Sequence, residues 1–407
     1  MPNGSKSFII LKMNNFKIKN RLCPICSYNK KNLIFEQKFC ENKEIALLNR
    51  YDVVVCKNCG FVYADKIPSQ DDFNIYYKKI SKYEFSYRKG IVPNNYINHF
   101  TKIVNFLIPY ISDKNIKILD IGCSTGALLS VFKSYGYFNL LGLDPSPICS
   151  KIAKKLYNIK VISNNISNFR TREKFDLIIL SAVLEHLVDI KSSVRKIRRL
   201  LKEGGFLFIE VPDIERFDLY ISAPFQQFSL EHINYFSRYS IKNLLSKFSF
   251  KIIKIEQKEN KINKNVEPDL FVLAKKKNKF EHNLIKDKIS EIKIKKYIPK
   301  CLKIEIETQK KIHKKLFNKE KIIVWGAGTF TQRLVACGGL EPAKVLFFVD
   351  SNKRYINKKL SGIEIKSPSD IKNEKIPILI STPSYQEEIV YQIRKLLKLN
   401  NEIIKIF

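Results

Sequence analysis

The sequence predicts an α/β protein with two parallel sheets, preceded by a small cysteine-bearing module. Two glycine-rich loops carry this prediction, because each follows an apolar strand and precedes a helix; they lie at residues 117–126 and 321–330. Each loop is followed by a second strand that ends in an acid, Asp144 in one case and Asp350 in the other. Strand–loop–helix units of this kind hold ligands at the carboxyl ends of parallel strands.

The length and composition are those of a folded protein with several domains. A chain of 407 residues predicts two or three domains, and a hydrophobic content of 45% excludes a disordered chain. No stretch is long and apolar enough for a membrane helix. The apolar run at residues 8–11 has neither the length nor the cleavage site of a signal peptide. We therefore expect a cytoplasmic protein without a membrane span.

The net charge of +34 is spread along the whole chain. Lysines occur in every segment, with local concentrations at residues 275–279 and 286–300. We interpret most of them as solvated faces. Clustering on one surface would instead indicate an anionic partner, such as the phosphates of a nucleotide sugar or RNA.

Four cysteines form two C-x2-C pairs, Cys23 with Cys26 and Cys56 with Cys59, separated by 29 residues. Two such pairs place four thiolates around one tetrahedral Zn²⁺, and a closed site of this kind is structural. Disulfides are a poorer explanation in a cytoplasmic protein, and redox-active or incidental cysteines are the alternative. The remaining cysteines are interpreted as a spare thiol, Cys40, and as buried small residues, Cys123, Cys149, Cys301 and Cys337.

The first glycine loop has the pattern D-x-G-x-S-x-G, with an acid before the loop, and differs from the G-x-G-x-x-G of NAD-binding proteins. It resembles motif I of the class I methyltransferases that use S-adenosylmethionine (SAM). The resemblance implies that the loop passes under the methionine part of SAM and that Asp144 binds the ribose hydroxyls, as a carboxylate can. A turn that binds nothing is the alternative. The implied loop residues are Asp120, Gly122, Ser124 (which replaces the usual glycine) and Gly126.

The following segment keeps the order of the same family. A buried strand at residues 175–181 runs into a Glu-His pair, after which a basic helix, a glycine pair and another strand follow. The resemblance covers roughly residues 95–215. It implies that Asn165 contacts adenine and that Ser181, the last residue of the strand, lies at the cofactor site.

Two further segments carry candidate catalytic residues. Residues 73–87 are rich in aromatic side chains, which indicates either a helix packed on the core or a lid over the cofactor pocket. Residues 226–237 contain the run E-H-x-x-Y-F-S, and only five histidines occur in the chain. Histidine is the usual general base near neutral pH, although a lone histidine is more often structural.

The order of these parts resembles the bacterial sugar C-methyltransferases, which act on nucleotide-linked 4-keto-6-deoxy sugars. The resemblance implies that His232 is the general base, assisted by Glu231, by a lid tyrosine, Tyr83, and by a histidine after the fourth strand, His186. It also implies SAM and structural zinc as cofactors, and a nucleotide sugar as substrate, in the biosynthesis of surface glycans.

The second glycine loop predicts a Rossmann-like C-terminal lobe. Its dinucleotide fingerprint is incomplete, because Thr331 stands where the third glycine belongs. In the resembled family this lobe helps to hold the nucleotide sugar. Residues 381–385 replace an aromatic-Asn pair of that family, which leaves the sugar and the choice between C- and O-methylation open.

The predicted division of the chain has five parts, and we expect a monomer or a homodimer. The parts are a zinc-ribbon-like module (1–68), an aromatic helical lid or linker (69–100), a class I SAM methyltransferase Rossmann-like domain (101–275), a helical connector (276–320) and a C-terminal Rossmann-like α/β lobe (321–407).

Three other functions remain open. A sugar O-methyltransferase would use the same histidine to deprotonate a hydroxyl. An RNA methyltransferase would fit the zinc, the SAM domain and the positive charge, but the segment after Ser181 lacks the Asn/Asp-Pro-Pro-aromatic signature of base N-methylation, and the chain lacks a Pro-Cys nucleophile. The third is a protein that binds a nucleotide sugar without turnover. Asp120, Asp144 and His232 argue against it.

Overall fold

The structure, a computed structural model, describes residues 17–41, 47–80, 92–262, 265–278 and 283–406. The described residues form three sheets of four, seven and six strands. The two larger sheets contain the parallel strands that the glycine loops predict, so the α/β class is confirmed. Within the described residues, no helix has the combination of length and apolar character needed to cross a membrane.

The N-terminal sheet is antiparallel and carries the four-cysteine module. Its first strands are β1 (Lys31–Lys38), β2 (Arg50–Cys56) and β3 (Val62–Asp65), and helix α1 (Gln70–Ile80) follows them. The fourth strand comes from a distant part of the chain and pairs with β3 through Val62 opposite Tyr235 and Tyr63 opposite Asn234. The E-H-x-x-Y-F-S run therefore adds a strand to the cysteine-bearing sheet, which the sequence did not predict.

The central sheet is mixed, with a parallel core. In chain order its strands are β4 (Ile118–Ile121), β5 (Leu140–Asp144), β6 (Lys160–Ser163), β7 (Phe175–Ser181), β8 (Leu201–Pro212), then, after the short β9 (Asn234–Tyr235) of the first sheet, β10 (Phe250–Ile262) and β11 (Asn265–Lys276). Their spatial order is β10-β11-β8-β7-β4-β5-β6. The chain passes from β4 outward to β6 and then returns to β7 on the other side of β4. The switch point therefore lies at the carboxyl ends of β4 and β7, where sheets of this kind bind ligands.

Helices from the part of the chain before β10 cover the two faces of this sheet. The helices that the structure describes in this part are α1, α2 (Asn94–Leu107), α3 (Ala127–Ser134), α4 (Pro147–Tyr157), α5 (Ile190–Leu200) and α6 (Arg238–Lys247). Helices α2 and α3 pack on one face and α5 and α6 on the other. Local chemistry fixes their ends. Ser237 and Ser240 form a capping box at the start of α6, and Asn158 ends α4 in the left-handed conformation.

One strand boundary differs from the prediction. β8 begins at Leu201, whereas the sequence predicts that the strand starts only after the glycine pair at residues 204–205. Gly204 does adopt a positive φ of 70°. The ladder nevertheless extends past it, because Leu201 already lies opposite Phe175 of β7.

The C-terminal lobe is a second Rossmann-like sheet, joined to the first by the long helix α7 (Ile289–Leu316). Its elements are β12 (Ile322–Trp325), α8 (Thr329–Ala336), β13 (Val345–Val349), β14 (Lys359–Leu360), β15 (Ile363–Lys366), β16 (Ile378–Ile380), α9 (Gln386–Tyr391) and β17 (Ile403–Lys405). The strand order is β14-β15-β13-β12-β16-β17.

Candidate functional site

The glycine loop after β4 turns sharply beneath the switch point. Gly122 and Gly126 have φ angles of 76° and 79°, and Ser124 has a φ of 49°. A Cβ on Gly122 would lie 2.6 Å from Cγ2 of Val183, so only glycine fits against the segment after β7. The Ser124 hydroxyl is buried without a hydrogen-bond partner among the described residues. A loop of this shape, with an unsatisfied donor, suits the close approach of a polar ligand.

Asp144 holds this loop against the end of β5. Its carboxylate accepts hydrogen bonds from the backbone N–H of Ser124 and of Ser146, each at 2.9 Å. The side chain is 7% exposed. Two loops therefore converge on this acid at the end of β5.

Of the three other predicted cofactor residues, Asp120 is buried at the end of β4, and the remaining two have local hydrogen-bond partners. The Asn165 side-chain oxygen accepts a hydrogen bond from the backbone N–H of Asn168 at 2.9 Å and closes a turn after β6. The Ser181 hydroxyl donates a hydrogen bond to Oε2 of Glu210 on β8. The opposite oxygen of Glu210 lies 2.6 Å from Nε2 of His99 on α2. Neither His99 nor Glu210 belongs to a motif that can be recognised in the sequence.

Two of the predicted catalytic residues come together beside the loop. The rings of His186 and His232 have their centroids 5.0 Å apart in an edge-to-face arrangement. His186 belongs to the turn after β7 and follows Val183 by three residues in the chain. Nδ1 of His186 also lies 3.0 Å from the backbone oxygen of Glu231.

Asn234 fastens the His232 segment to this turn. Its side-chain amide donates to the backbone oxygens of Leu184 and Leu187 at 3.0 and 2.8 Å. The hydroxyl of Tyr235 donates to the backbone oxygen of His232 at 3.0 Å. The histidine pair is thus held by the residues that also form β9.

Helix α1 supplies two tyrosines to the same place. The Tyr76 hydroxyl donates to Oε1 of Glu231 at 3.1 Å, and the Tyr77 hydroxyl lies 3.1 Å from Nδ1 of His186. Burial, followed by the charge of Glu231, raises the pKa of Tyr76 well above its usual value. Both residues belong to the aromatic stretch noted in the sequence. Tyr83, the tyrosine selected from that stretch, lies outside the described residues.

Glu185, the acid of the Glu-His pair after β7, is a further acid at the site, and the sequence indicated no catalytic role for it. Its side chain is 1% exposed and its Oε1 lies 3.8 Å from Nε2 of His186. Burial raises its pKa to about 8. A carboxyl group with such a pKa can hold or release a proton near neutral pH.

The four cysteines of the two pairs form one cluster. Their sulfur atoms all lie within 4.8 Å of one another, with Cys23 and Cys26 each 3.5 Å from a cysteine of the other pair. A tetrahedral zinc site with Zn–S bonds near 2.3 Å has sulfurs about 3.8 Å apart, so the cluster fits Zn²⁺. Gly60, at φ 78°, completes the second turn, and a Cβ there would lie 1.9 Å from the backbone oxygen of Asp287. Cys40 lies apart from the cluster, packed against the C-terminal lobe.

The glycine loop of the C-terminal lobe repeats the bonding of the first loop. Asp350 accepts hydrogen bonds from the backbone N–H of Ala327 at 2.9 Å and of Asn352 at 2.8 Å, much as Asp144 does. Thr331, in place of the third glycine, is buried and lies 2.7 Å from the Ser381 hydroxyl. The two hydroxyls fill space that a third glycine would leave open.

Comparison with known proteins assigns the central region. A family described as "Methyltransferase domain" matches residues 94–255, and one described as "C2185-like, N-terminal" matches residues 318–404. Similar curated proteins include the ubiquinone biosynthesis O-methyltransferase of Pelagibacter ubique (35% identity over 103 residues, 24% of this chain and 42% of that protein). Another is the tRNA U34 carboxymethyltransferase of Campylobacter fetus (26% identity over 162 residues, 37% of this chain and 56% of that protein).

The curated relatives match only part of this chain, 24% and 37% of it respectively. The chain spans 42% and 56% of the length of those two relatives. Among solved structures, the N-methyltransferase NodS of Bradyrhizobium japonicum in complex with S-adenosyl-L-homocysteine (SAH) aligns with a TM-score of 0.38 at 16% identity, over 48% of this chain and 95% of that chain. With the family match, the strand order and the acid-first loop taken together, residues 94–255 are a class I SAM-dependent methyltransferase domain.

Proposed function

We propose that the protein transfers the methyl group of SAM to a nucleotide-linked sugar, and that the reaction is C-methylation of a 4-keto-6-deoxy sugar. The observation that carries the proposal is the pair formed by His186 and His232, with ring centroids 5.0 Å apart. The pair lies beside the proposed SAM loop, and Nδ1 of His186 is contacted by the backbone oxygen of Glu231 and by the hydroxyl of Tyr77 on α1. This arrangement offers a base and several hydrogen-bond donors at one point next to the cofactor.

In this proposal His232 removes the proton from the carbon next to the sugar ketone. His186 and Tyr77 donate hydrogen bonds to the enolate oxygen, whose charge develops as the proton leaves. SAM, when bound, supplies an electrophilic methyl group and leaves as SAH, so the new C–C bond replaces the C–S bond. Glu231 orients the sugar, and the lid tyrosine Tyr83 remains a predicted member of the site. Alignment of the nucleophile with the methyl group is the main contribution of the protein.

The cofactor residues are assigned on the same basis. Gly122, Ser124 and Gly126 would pass under the methionine part of SAM, Asp144 would bind the ribose, and Asn165 would approach the adenine. Ser181 and Asp120 would lie at the methionyl end. The fit rests on the crowded approach at Gly122 and on the unpartnered hydroxyl of Ser124.

The same proposal gives each remaining part a role. Structural Zn²⁺ would be held by Cys23, Cys26, Cys56 and Cys59. The C-terminal lobe, predicted from residue 321 onward, would contact the nucleotide of the substrate. Asn265, at the start of β11, donates to the Ser384 hydroxyl at 2.7 Å, so the two lobes meet near the segment 381–385.

The relatives of the SAM domain favour a second candidate reaction. The similar proteins include an O-methyltransferase and the (S)-coclaurine N-methyltransferase of Papaver somniferum, 29% identical over 102 residues (23% of this chain and 28% of that protein). In O-methylation His232 would deprotonate a sugar hydroxyl at the same position. Because one similar protein is a tRNA U34 carboxymethyltransferase, RNA is tested as an alternative substrate.

One labelling experiment separates these functions. Purified protein is incubated with methyl-labelled SAM and either nucleotide sugars, including freshly made 4-keto intermediates, or total RNA. We expect label in a sugar, at carbon by fragmentation, and its loss in His232→Ala but not in His313→Ala, whose histidine lies on α7 near the backbone oxygen of Gly338. Label at oxygen would select O-methylation. Label only in RNA, or no transfer with intact SAM binding, would contradict the sugar assignment.

A further inference from the structure

A row of polar side chains crosses one face of the central sheet at the SAM end. Asp120, Ser181, Glu210 and Asp269 lie on the four adjacent strands β4, β7, β8 and β11. Each lies two positions from a core residue of the face covered by α2, namely Ile118, Ile179, Phe208 and Phe271. Because side chains alternate along a strand, the four polar groups share that face. His99 of α2 packs over them.

This row contains more buried carboxyl groups than its basic neighbours could balance if all of them were ionised. Asp120, Glu210 and Asp269 are 2%, 4% and 7% exposed. One oxygen of Glu210, one of Asp269 and one ring nitrogen of His99 all lie within 4.8 Å of one another. Arg216 approaches Asp269 through the backbone oxygen, at 3.2 Å, while its side chain pairs with Asp213 at 2.9 Å.

Neighbouring acids extend the row toward the histidine pair. Burial, then Asp144 and Glu210, raises the pKa of Asp120, and burial, then Glu210, Glu267 and Glu185, raises the pKa of Asp269. Among the described residues, Oε2 of Glu185 and Nδ1 of His99 are buried without a hydrogen-bond partner, in side chains 1% and 8% exposed. Buried carboxyls in this position either keep their protons or neutralise a cation.

We propose that Glu210 and Asp269, with His99 packed against them, form a binding site for the positively charged sulfonium group of SAM, which is called the cation seat below. The seat is part of the cofactor site proposed above and rests on that assignment. It makes the site selective for SAM over the product SAH, which lacks the sulfonium charge. It also couples SAM binding to proton release, because the bound cation favours the ionised carboxylates.

The groups that face this seat define its pH dependence. They are Asp120, Asp144, Glu185, Glu267, His99 and Arg216. Below the raised pKa values of Asp120 and Asp269, these two carboxyls hold protons that the cation must displace. The affinity for SAM is therefore expected to rise as the pH rises through the elevated pKa values, and the affinity for SAH to change less.

Calorimetry on the zinc-loaded full chain tests the seat. SAM, SAH and sinefungin, whose amine replaces the sulfonium, are titrated in phosphate and in Tris, two buffers of different ionisation enthalpy. We expect proton release with SAM and sinefungin but not with SAH. In Glu210→Gln and Asp269→Asn we expect SAM affinity to fall at least tenfold and SAH affinity by less than about threefold. Glu173→Gln, an exposed acid 3.1 Å from Lys117 at the far end of the sheet, is the control.

Several outcomes overturn the inference. Equal losses of SAM and SAH affinity would give the acids a structural role only, and absence of proton release in the wild type would do the same without depending on any variant. A second bound metal per chain, lost in His99→Ala, would make the cluster a metal site. If the wild type bound neither SAM nor SAH, the cofactor site itself would be refuted, which distinguishes that failure from failure of the seat.

Discussion

The hydroxyl of Tyr77 lies 3.1 Å from Nδ1 of His186. This contact joins helix α1, which follows the cysteine-bearing strands, to the turn that follows β7 of the SAM domain. Nδ1 of the same histidine lies 3.0 Å from the backbone oxygen of Glu231. Two segments from outside the parallel sheet therefore fix the ring that stands beside the candidate base.

Replacement of Tyr77 by phenylalanine tests this contact. Loss of one hydrogen bond to a group that acts in the transition state corresponds to roughly 1.4 kcal/mol, or about a tenfold decrease in kcat. The melting temperature should change little, because the ring keeps its packing against Phe73 and Tyr76. Steady-state kinetics of sugar methylation measures the effect. Tyr391→Phe, at an exposed site on α9, is the control, and an unchanged kcat in Tyr77→Phe would contradict a role for the hydroxyl.

The cysteine cluster predicts a stability effect that depends on metal. Cys56→Ser should reduce bound zinc from about one per chain to a small fraction and lower the melting temperature by roughly 10 °C, because zinc binding contributes folding free energy. Metal analysis and thermal unfolding, each with and without a chelator, measure the two effects. Cys337→Ser, a half-buried thiol outside the cluster, should change neither. Full zinc occupancy in Cys56→Ser would refute the assigned ligand.

Glu185 gives the stability of the protein a defined pH dependence. Burial raises its folded-state pKa to about 8, from an unfolded value near 4.5. The neutral carboxyl is therefore favoured in the folded protein, and its contribution is complete below pH 4.5 and lost as the pH rises through 8. Glu185→Gln should be more stable than the wild type above pH 8, by roughly 2–4 kcal/mol, and nearly equal to it at low pH. Urea unfolding at pH 6 and pH 9 measures this difference, and a gap that does not widen with pH would argue against it.

Arg333 of α8 connects the C-terminal lobe to helix α7 and to the N-terminal sheet. Its guanidinium binds both oxygens of Glu305 on α7, at 2.6 and 2.8 Å, lies 3.9 Å from the centroid of the Phe225 ring, and donates to Gln37 of β1. The side chain is 5% exposed.

Removal of this buried charge leaves Glu305 unpaired. Arg333→Met should cost about 3–5 kcal/mol of the free energy of unfolding. The double variant Arg333→Met/Glu305→Leu should regain most of that loss, because neither charge is then left buried. Denaturant unfolding of the single and double variants measures the coupling. If the double variant were as unstable as the single one, packing around Phe225 would dominate over the ion pair.

Local patterns explain which features the sequence predicts. Some features depend only on a few consecutive residues: the two glycine loops, the acids Asp144 and Asp350, and the two cysteine pairs. Chain geometry alone then determines their conformation. The loop after β4 needs its positive φ angles and its small residues whatever the rest of the protein does.

Contacts between distant segments explain what the sequence does not predict. The pair formed by His99 and Glu210 depends on how α2 lies over the sheet and on the register between β7 and β8. A single-residue shift of that register would turn Glu210 to the opposite face. Similarly, nothing near Tyr235 indicates that it will lie opposite Val62. Hydrophobic alternation identifies such strands, but their partners follow only from the complete fold.

The pairing of β3 with β9 has a consequence for how this chain could be recombined. The backbone next to His232 and the backbone next to Cys59 belong to one ladder, although more than half of the methyltransferase domain separates them in the chain. A graft of the N-terminal module from another protein would therefore place a foreign edge strand next to the segment that contains His232, the candidate base. Exchange of the module and of residues 226–237 as a matched pair should preserve function, whereas exchange of either one alone should not.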